Sequence, residues 1–232
     1  MLDHDRIIEE QTEAIAATGE AVDHGAAVPG TDWTVHDLLD HVGRLTWFWA
    51  GRTRKAGGGD FYETDRPEDV SPSDFLRRGG ATMREQLAAA APDATIKTFA
   101  GPKPPAWLWR RLTHELTVHR WDAEAAAGSP TPVPVDVADD GVDEFLEGFA
   151  PVADLSGVGG SIHLHATDGD GEWFLDTDGG LTWTRAHEKG DVAVRATTSD
   201  LLLLVWGRVG TDAVEVLGDA SVLARWRAAT RF

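Results

Sequence analysis

The chain has 232 residues, and 42% of them are hydrophobic, which is enough to form the core of one large domain or two small ones. Its 21 Lys and Arg against 39 Asp and Glu give a net charge of −18, which argues against binding to nucleic acid or to an anionic membrane surface. The chain contains no cysteine, which excludes disulfides, thiolate metal ligands and a cysteine nucleophile.

The sequence also lacks a long apolar segment. Its longest strongly apolar run, Leu201–Trp206, is far shorter than the about 18 residues needed to cross a bilayer. The N-terminal stretch is acidic and has no apolar run typical of a secretory signal. We therefore expect a cytoplasmic protein. The sequence does not distinguish between a monomer and a dimer as its oligomeric state.

Apolar side chains at helical spacing dominate the first part of the chain. Helices are predicted over residues 2–22, 34–55, 71–91 and 106–127. Thr34 and Asp37 form an acidic variant of the capping box at the start of the second helix, and Ser71 with Pro72 marks the start of the third. Because no strand signal is found in this part, it is predicted to be an antiparallel four-helix bundle.

The pattern changes after residues 128–135, which hold three prolines and are predicted to form an extended connector. The elements predicted beyond it are a helix at 137–149, strands at 161–167, 172–176, 181–185, 192–197 and 214–217, and helices at 201–208 and 221–231. The predicted fold class is thus α followed by α+β. A helical domain over residues 1–135 precedes a small α+β domain with a mostly antiparallel sheet over residues 136–232.

A histidine lies within the apolar face of the predicted second helix. On a helical wheel, His41 falls beside Leu38 and Val42 rather than on the polar side. A core histidine with a hydrogen-bond partner would explain this position, because most buried polar side chains form hydrogen bonds within the protein and have no further role.

The predicted fourth helix carries a second group of polar side chains on its apolar face. His119 lies near the centre of the apolar stripe, Glu115 lies one turn before it, and Asp122 lies close by. An ionised carboxylate facing a core needs a cation or a donor. An internal Glu–His pair, or a Glu–Arg pair with Arg111, would meet this need without a metal.

Together, His41, Glu115 and His119 also suit a divalent metal ion. Two imidazoles and one carboxylate are typical zinc ligands, and three protein ligands leave a fourth position open for chemistry. Nickel or iron would accept the same set.

Four segments resemble one known family. Trp33–His41 is similar to the second-helix signature of DinB-like metalloproteins, and most similar to that of the mycothiol-dependent maleylpyruvate isomerase family. Arg111–Ala123 resembles the other metal-binding segment of that family. Ile162–Trp173 and Ser199–Arg208 resemble parts of its C-terminal domain, so the resemblance covers essentially the whole chain.

The resemblance implies a zinc-binding, DinB-like bundle followed by a domain similar to sterol carrier proteins, with the active site between them. His41, Glu115 and His119 fall on the family's metal-ligand positions. It further implies that mycothiol supplies the sulfur nucleophile for cis–trans isomerisation of a small unsaturated keto acid. A mycothiol S-transferase in detoxification or biosynthesis, and a non-catalytic metal-stabilised binding protein, are the alternatives.

Some further side chains are candidates for supporting roles. Asp122 is placed to orient a metal ligand or a neighbouring arginine, with a simple position on the helix surface as the alternative. Arg208 and Arg195 are candidates to bind a substrate carboxylate, because a planar guanidinium clamps carboxylates well, whereas a solvated position on the surface is the favoured interpretation of each. His163 and His165 share one face of a strand and are able to bind a metal, but hydrogen bonding within the sheet is the favoured interpretation.

Overall fold

The computed structural model describes residues 1–231. The chain divides into two compact units, one over residues 1–131 and one from residue 132 onward. Within residues 1–231, no helix is both long enough and apolar enough to span a membrane.

The first unit is mainly helical. Its helices are α1 (His4–Ala21), α2 (Val35–Ala56), α3 (Pro72–Ala89) and α4 (Pro105–Ala126). The predicted helix starts are confirmed: the Thr34 hydroxyl accepts from the Asp37 amide in a complete capping box, and Ser71 caps α3 with Pro72 in its first turn. Helix α1 packs on α3 and α4, and α2 packs on the same two helices.

The expectation that no strand precedes residue 128 is wrong. Strands β1 (Ile96–Thr98) and β2 (Gly101–Lys103) form a two-stranded antiparallel hairpin between α3 and α4. Each strand has only three residues, so neither shows an alternating pattern, and Pro102 within β2 is typical of a loop or an edge strand.

Helices α2 and α3 approach closely at glycines. A Cβ atom added to Gly79 would lie 2.2 Å from Thr46 Oγ1 and 2.9 Å from the Trp47 ring. Thr46 is fully buried, and its hydroxyl donates to the Gly43 carbonyl oxygen at 2.7 Å, so it has little room to move. The glycine therefore allows α2 and α3 to approach closely at this point.

Replacing Gly79 by alanine is expected to lower the free energy of unfolding by about 1–3 kcal/mol, because the added methyl group overpacks the α2–α3 contact. Gly148→Ala is the matched control, since a Cβ there meets no atom within 4 Å. The control should leave stability unchanged or raise it by up to about 1 kcal/mol. Urea unfolding of both variants measures the difference, and equal effects would contradict the proposed close packing.

The second unit begins with a helix and ends with one. Its elements are α5 (Val135–Gly148), β3 (Ser161–Ala166), β4 (Glu172–Asp176), β5 (Thr182–Thr184), β6 (Val192–Ala196), α6 (Thr198–Val205), β7 (Glu215–Gly218) and α7 (Ala220–Ala229). The prolines predict that the extended connector includes Val135. This is wrong at that residue, because Val135 is the first residue of α5. Helix α6 begins at Thr198, three residues before the predicted start, because the Thr197 side chain accepts from the Asp200 amide and caps it.

The second unit contains a five-stranded sheet in the order β5-β4-β3-β6-β7. The β3–β6 pairing is parallel and the other three pairings are antiparallel, so the prediction of a mostly antiparallel sheet is confirmed. One face is apolar and carries Ile162, Leu164, Trp173, Leu175, Val192 and Val194. Helices α6 and α7 contact strands β3 and β6. The opposite face, here called the polar face, carries His163, His165, Glu172 and Arg195 together with Phe174 and Leu217.

Candidate metal centre

The contact between α2 and α4 brings three predicted ligands together in the first unit. Potential ligand atoms of His41, Glu115 and His119 all lie within 4.8 Å of one another. Glu115 Oε1 lies 3.8 Å from His41 Nε2 and 3.3 Å from His119 Nε2. The spacing of four residues puts Glu115 and His119 on adjacent turns of α4, and only the packing of α2 adds His41.

The two oxygens of Glu115 face different partners. Oε1 faces the two imidazoles, whereas Oε2 accepts from the guanidinium of Arg111, one turn earlier on α4. Burial opposes ionisation of Glu115, but Arg111, His119 and His41 together hold the pKa of its carboxyl well below the usual value. The Glu–Arg pair expected as an alternative to metal binding is therefore present, and it leaves Oε1 directed at the imidazoles.

Asp122 orients the imidazole of His119. Asp122 Oδ2 lies 3.0 Å from His119 Nδ1, and the Asp122 side chain is fully buried. Burial lowers the pKa of His119, but Asp122 and Glu115 outweigh it and raise this pKa to about 9. When Nδ1 holds a proton and donates it to Asp122, Nε2 is directed towards Glu115. This is the arrangement of a histidine ligand with a supporting carboxylate.

His41 lies at the more open side of the group. Its side chain is 38% exposed, against 6% for His119, so it is less inward-facing than the helical wheel predicts. Trp33, in the loop before α2, packs against both histidines, with ring centroids 4.7 Å from His41 and 5.9 Å from His119. Sequence reasoning did not assign Trp33 a place in the site, since it lies in a loop without periodicity.

The chemistry of the donor set fits a divalent metal ion. Two imidazole nitrogens and one carboxylate oxygen are available, and one imidazole is held by a buried carboxylate through its other nitrogen. The residues present are therefore suited to zinc, and nickel or iron(II) would also accept them.

The other predicted residues lie in the second unit. Arg208 follows α6, and its Nη1 donates to the Trp206 carbonyl oxygen at 2.9 Å. Arg195 on β6 pairs with Glu215 at 3.0 Å. His163 and His165 both hydrogen-bond to Glu172 within the sheet. A substrate-binding role for Arg208 stays a prediction.

Two family models match the chain and together account for most of it. The model of the mycothiol maleylpyruvate isomerase N-terminal domain matches residues 8–124, and that of the MDMPI C-terminal domain matches residues 136–225. The chain belongs to the mycothiol maleylpyruvate isomerase family. It is thus a member of an enzyme family, and the resemblance of segments Trp33–His41 and Arg111–Ala123 to this family is confirmed.

Solved structures agree with this assignment at the level of the fold. Two crystal structures of the mycothiol-dependent maleylpyruvate isomerase, one of a histidine-to-alanine mutant, are 14% identical to the chain with a TM-score of 0.65. Each comparison covers 92% of this chain and 91% of that chain. Sterol Carrier Protein 2 Like 2 from Aedes aegypti is 17% identical over 41% of this chain and 98% of its own, with a TM-score of only 0.34. No curated protein matches the sequence.

Proposed function

We propose that the chain is a metal-dependent and thiol-dependent enzyme that uses mycothiol to isomerise a small unsaturated keto acid. The observation that carries this proposal is the group His41, Glu115 and His119 in a member of the mycothiol maleylpyruvate isomerase family. Maleylpyruvate is the substrate named for the solved relatives, and it represents the proposed substrate class. The two units are proposed to be a DinB-like four-helix bundle and a sterol-carrier-like α+β domain.

In the proposed reaction, a thiolate adds to one carbon of an activated cis double bond. The π electrons of that double bond move onto the conjugated carbonyl and form an enolate. The former double bond then rotates as a single bond. Collapse of the enolate expels the thiolate and leaves the trans product, so the thiol is not consumed. Because the chain has no cysteine, the sulfur must come from an external thiol.

Each residue of the centre has a distinct part in this proposal. His41 Nε2, Glu115 Oε1 and His119 Nε2 would hold the metal, with zinc as the first candidate. When bound, such a metal lowers the pKa of a thiol or polarises a carbonyl. Asp122 holds His119 in the ligating orientation, and Arg111 keeps Glu115 ionised. Arg208 is proposed to bind the substrate carboxylate through its guanidinium.

Thiol dependence tests the proposal directly. Isomerisation of maleylpyruvate by the zinc-loaded protein should be absent in thiol-free buffer and should return when mycothiol is added. Removal of the metal by a chelator should abolish the same activity. Undiminished turnover without thiol would overturn the proposal. Accumulation of a stable conjugate of mycothiol with the electrophile would instead show that the enzyme is an S-transferase and not an isomerase.

Replacing Asp122 by asparagine is expected to lower zinc affinity or thiol-dependent activity by roughly 10–100-fold, because the neutral side chain supports His119 less well. Asp40→Asn is the matched control, since Asp40 pairs with Arg44 on the surface of α2 at 2.7 Å. Zinc titration against a competing chelator measures the affinity. An unchanged dissociation constant and rate in Asp122→Asn would show that this carboxylate does not support the ligand.

A further inference from the structure

A second group of potential metal ligands lies on the polar face of the sheet in the second unit. His163 and His165 alternate along β3 and therefore share this face. Glu172 on β4 is the direct cross-strand partner of His165. His187 lies in the irregular segment between β5 and β6. Two adjacent strands thus fix three of the four side chains, and a loop supplies the fourth.

Three imidazoles converge on the one carboxylate. Glu172 Oε2 lies 2.5 Å from His163 Nε2, and Glu172 Oε1 lies 2.6 Å from His165 Nδ1 and 3.0 Å from His187 Nδ1. The ring planes cross at 70–83°, so the rings are not stacked on one another. Partial burial opposes ionisation of Glu172, but hydrogen bonds with His187, His163 and His165 lower its pKa.

The spacing of the donor atoms is close to that of a four-coordinate site. One potential ligand atom from each of the four residues lies within 4.8 Å of every other. In a tetrahedral zinc site with bonds of about 2.0–2.1 Å, ligand atoms are about 3.3–3.4 Å apart. The three distances from Glu172 to the histidines, 2.5–3.0 Å, are shorter than this spacing, and the other donor atoms lie within 4.8 Å of one another. We infer that side-chain rotations bring the four donor atoms to the spacing of a zinc site.

An ion can also reach this group from outside. The histidines line an open cavity of ≈ 610 Å³ together with Ala193 and Arg195 of β6. The His187 side chain is 73% exposed, and that of His163 is 8% exposed. The loop ligand thus lies towards solvent and the strand ligands lie deeper, so an ion can enter before His187 completes its coordination.

We propose that His163, His165, Glu172 and His187 bind a second divalent transition-metal ion, with zinc as the expected ion. Four protein ligands fill a tetrahedral shell, which is typical of an ion that stabilises a fold and not of one that binds substrate. The ion would join β3, β4 and the β5–β6 segment. This inference does not depend on the proposed isomerase activity, because all four ligands belong to the second unit.

Zinc binding to metal-stripped protein tests the inference by stoichiometry. The unsubstituted chain should bind two zinc ions, and His119→Ala should bind one. His187→Ala should lower the zinc affinity of the second group by at least roughly 10–100-fold. That is the loss of affinity typical of removing a residue that only supports a ligand, and His187 is proposed to be a ligand itself. Because His187 lies on the surface, this variant should keep its fold. Glu172→Gln combined with His187→Ala should remove one ion completely.

His36→Ala serves as the control, since His36 is an exposed histidine on α2 outside both groups. Zinc should also raise the thermal midpoint of His119→Ala but not that of the triple variant His119→Ala, Glu172→Gln, His187→Ala. Identical zinc stoichiometry and affinity with and without the Glu172 and His187 changes would overturn the second site and leave a hydrogen-bonded cluster only. If the first centre alone fails, His119→Ala will bind as much zinc as the unsubstituted chain while the Glu172 and His187 changes still remove one ion.

Discussion

The His119→Ala variant is expected to bind one divalent metal ion fewer per chain than the unsubstituted protein and to lose the thiol-dependent activity. The change removes the nitrogen that lies 3.3 Å from Glu115 Oε1 and leaves only two protein ligands at the first centre. At a free zinc concentration 1,000-fold above the dissociation constant, zinc would stabilise the folded first unit by about 4 kcal/mol. The variant should lack this gain in the first unit and keep only the stabilisation that zinc gives through the second group. Metal analysis after dialysis and thermal unfolding with and without zinc measure both effects.

Because His119 is buried, its removal also leaves a cavity and takes a partner from Asp122. His41→Ala therefore provides a second test, since His41 is partly exposed and its loss disturbs the core less. It should lose the same ion. His36→Ala, a change of an exposed histidine on the same helix, should keep it. Retention of the full metal content by both His119→Ala and His41→Ala would rule out the first centre.

Local sequence patterns are sufficient to predict most helices and to place Glu115 and His119 together on one face of α4. The capping pattern of Thr34 and Asp37 places the start of α2 within a residue, because capping chemistry is local. Helical spacing then places His119 on the buried stripe of α4, one turn from Glu115. These inferences need only the backbone geometry of a single helix.

Contacts between distant elements are not encoded in such patterns. The distance of 3.8 Å between His41 and Glu115 depends on how α2 packs on α4. Likewise, His187 lies in a segment without periodicity, and only the order of β5, β4 and β3 in the sheet brings it to Glu172. The β1–β2 hairpin was missed because a three-residue strand is too short to show alternation.

Replacing Arg111 by methionine is expected to lower the free energy of unfolding of the metal-free protein by about 3 kcal/mol at neutral pH. Arg111 is nearly fully buried and contacts Glu115 Oε2, so its loss leaves a charged carboxylate without its strongest cation. Removing one partner of a buried ion pair usually costs 3–5 kcal/mol. The lower end applies here because Glu115 is partly exposed and His119 remains beside it. Urea unfolding in the presence of a chelator measures the effect.

The pH dependence of this loss follows from the pKa of Glu115. In the unsubstituted protein, the pKa of Glu115 is lower in the folded state than in the unfolded state. The ion pair therefore stabilises the fold fully above the unfolded pKa of about 4.3, and this stabilisation is lost as the pH falls through the folded pKa. Without Arg111, the largest of the effects that lower this pKa is removed, so the folded pKa of Glu115 rises. The difference in stability between the two proteins should therefore be largest near neutral pH. It should shrink as the pH falls through the folded pKa of the variant and vanish below that of the unsubstituted protein. Arg44→Met, which breaks only exposed pairs with Asp40 and Asp65, should cost at most about 1 kcal/mol. Equal losses in Arg111→Met and Arg44→Met would mean that Arg111 does not hold the charge on Glu115.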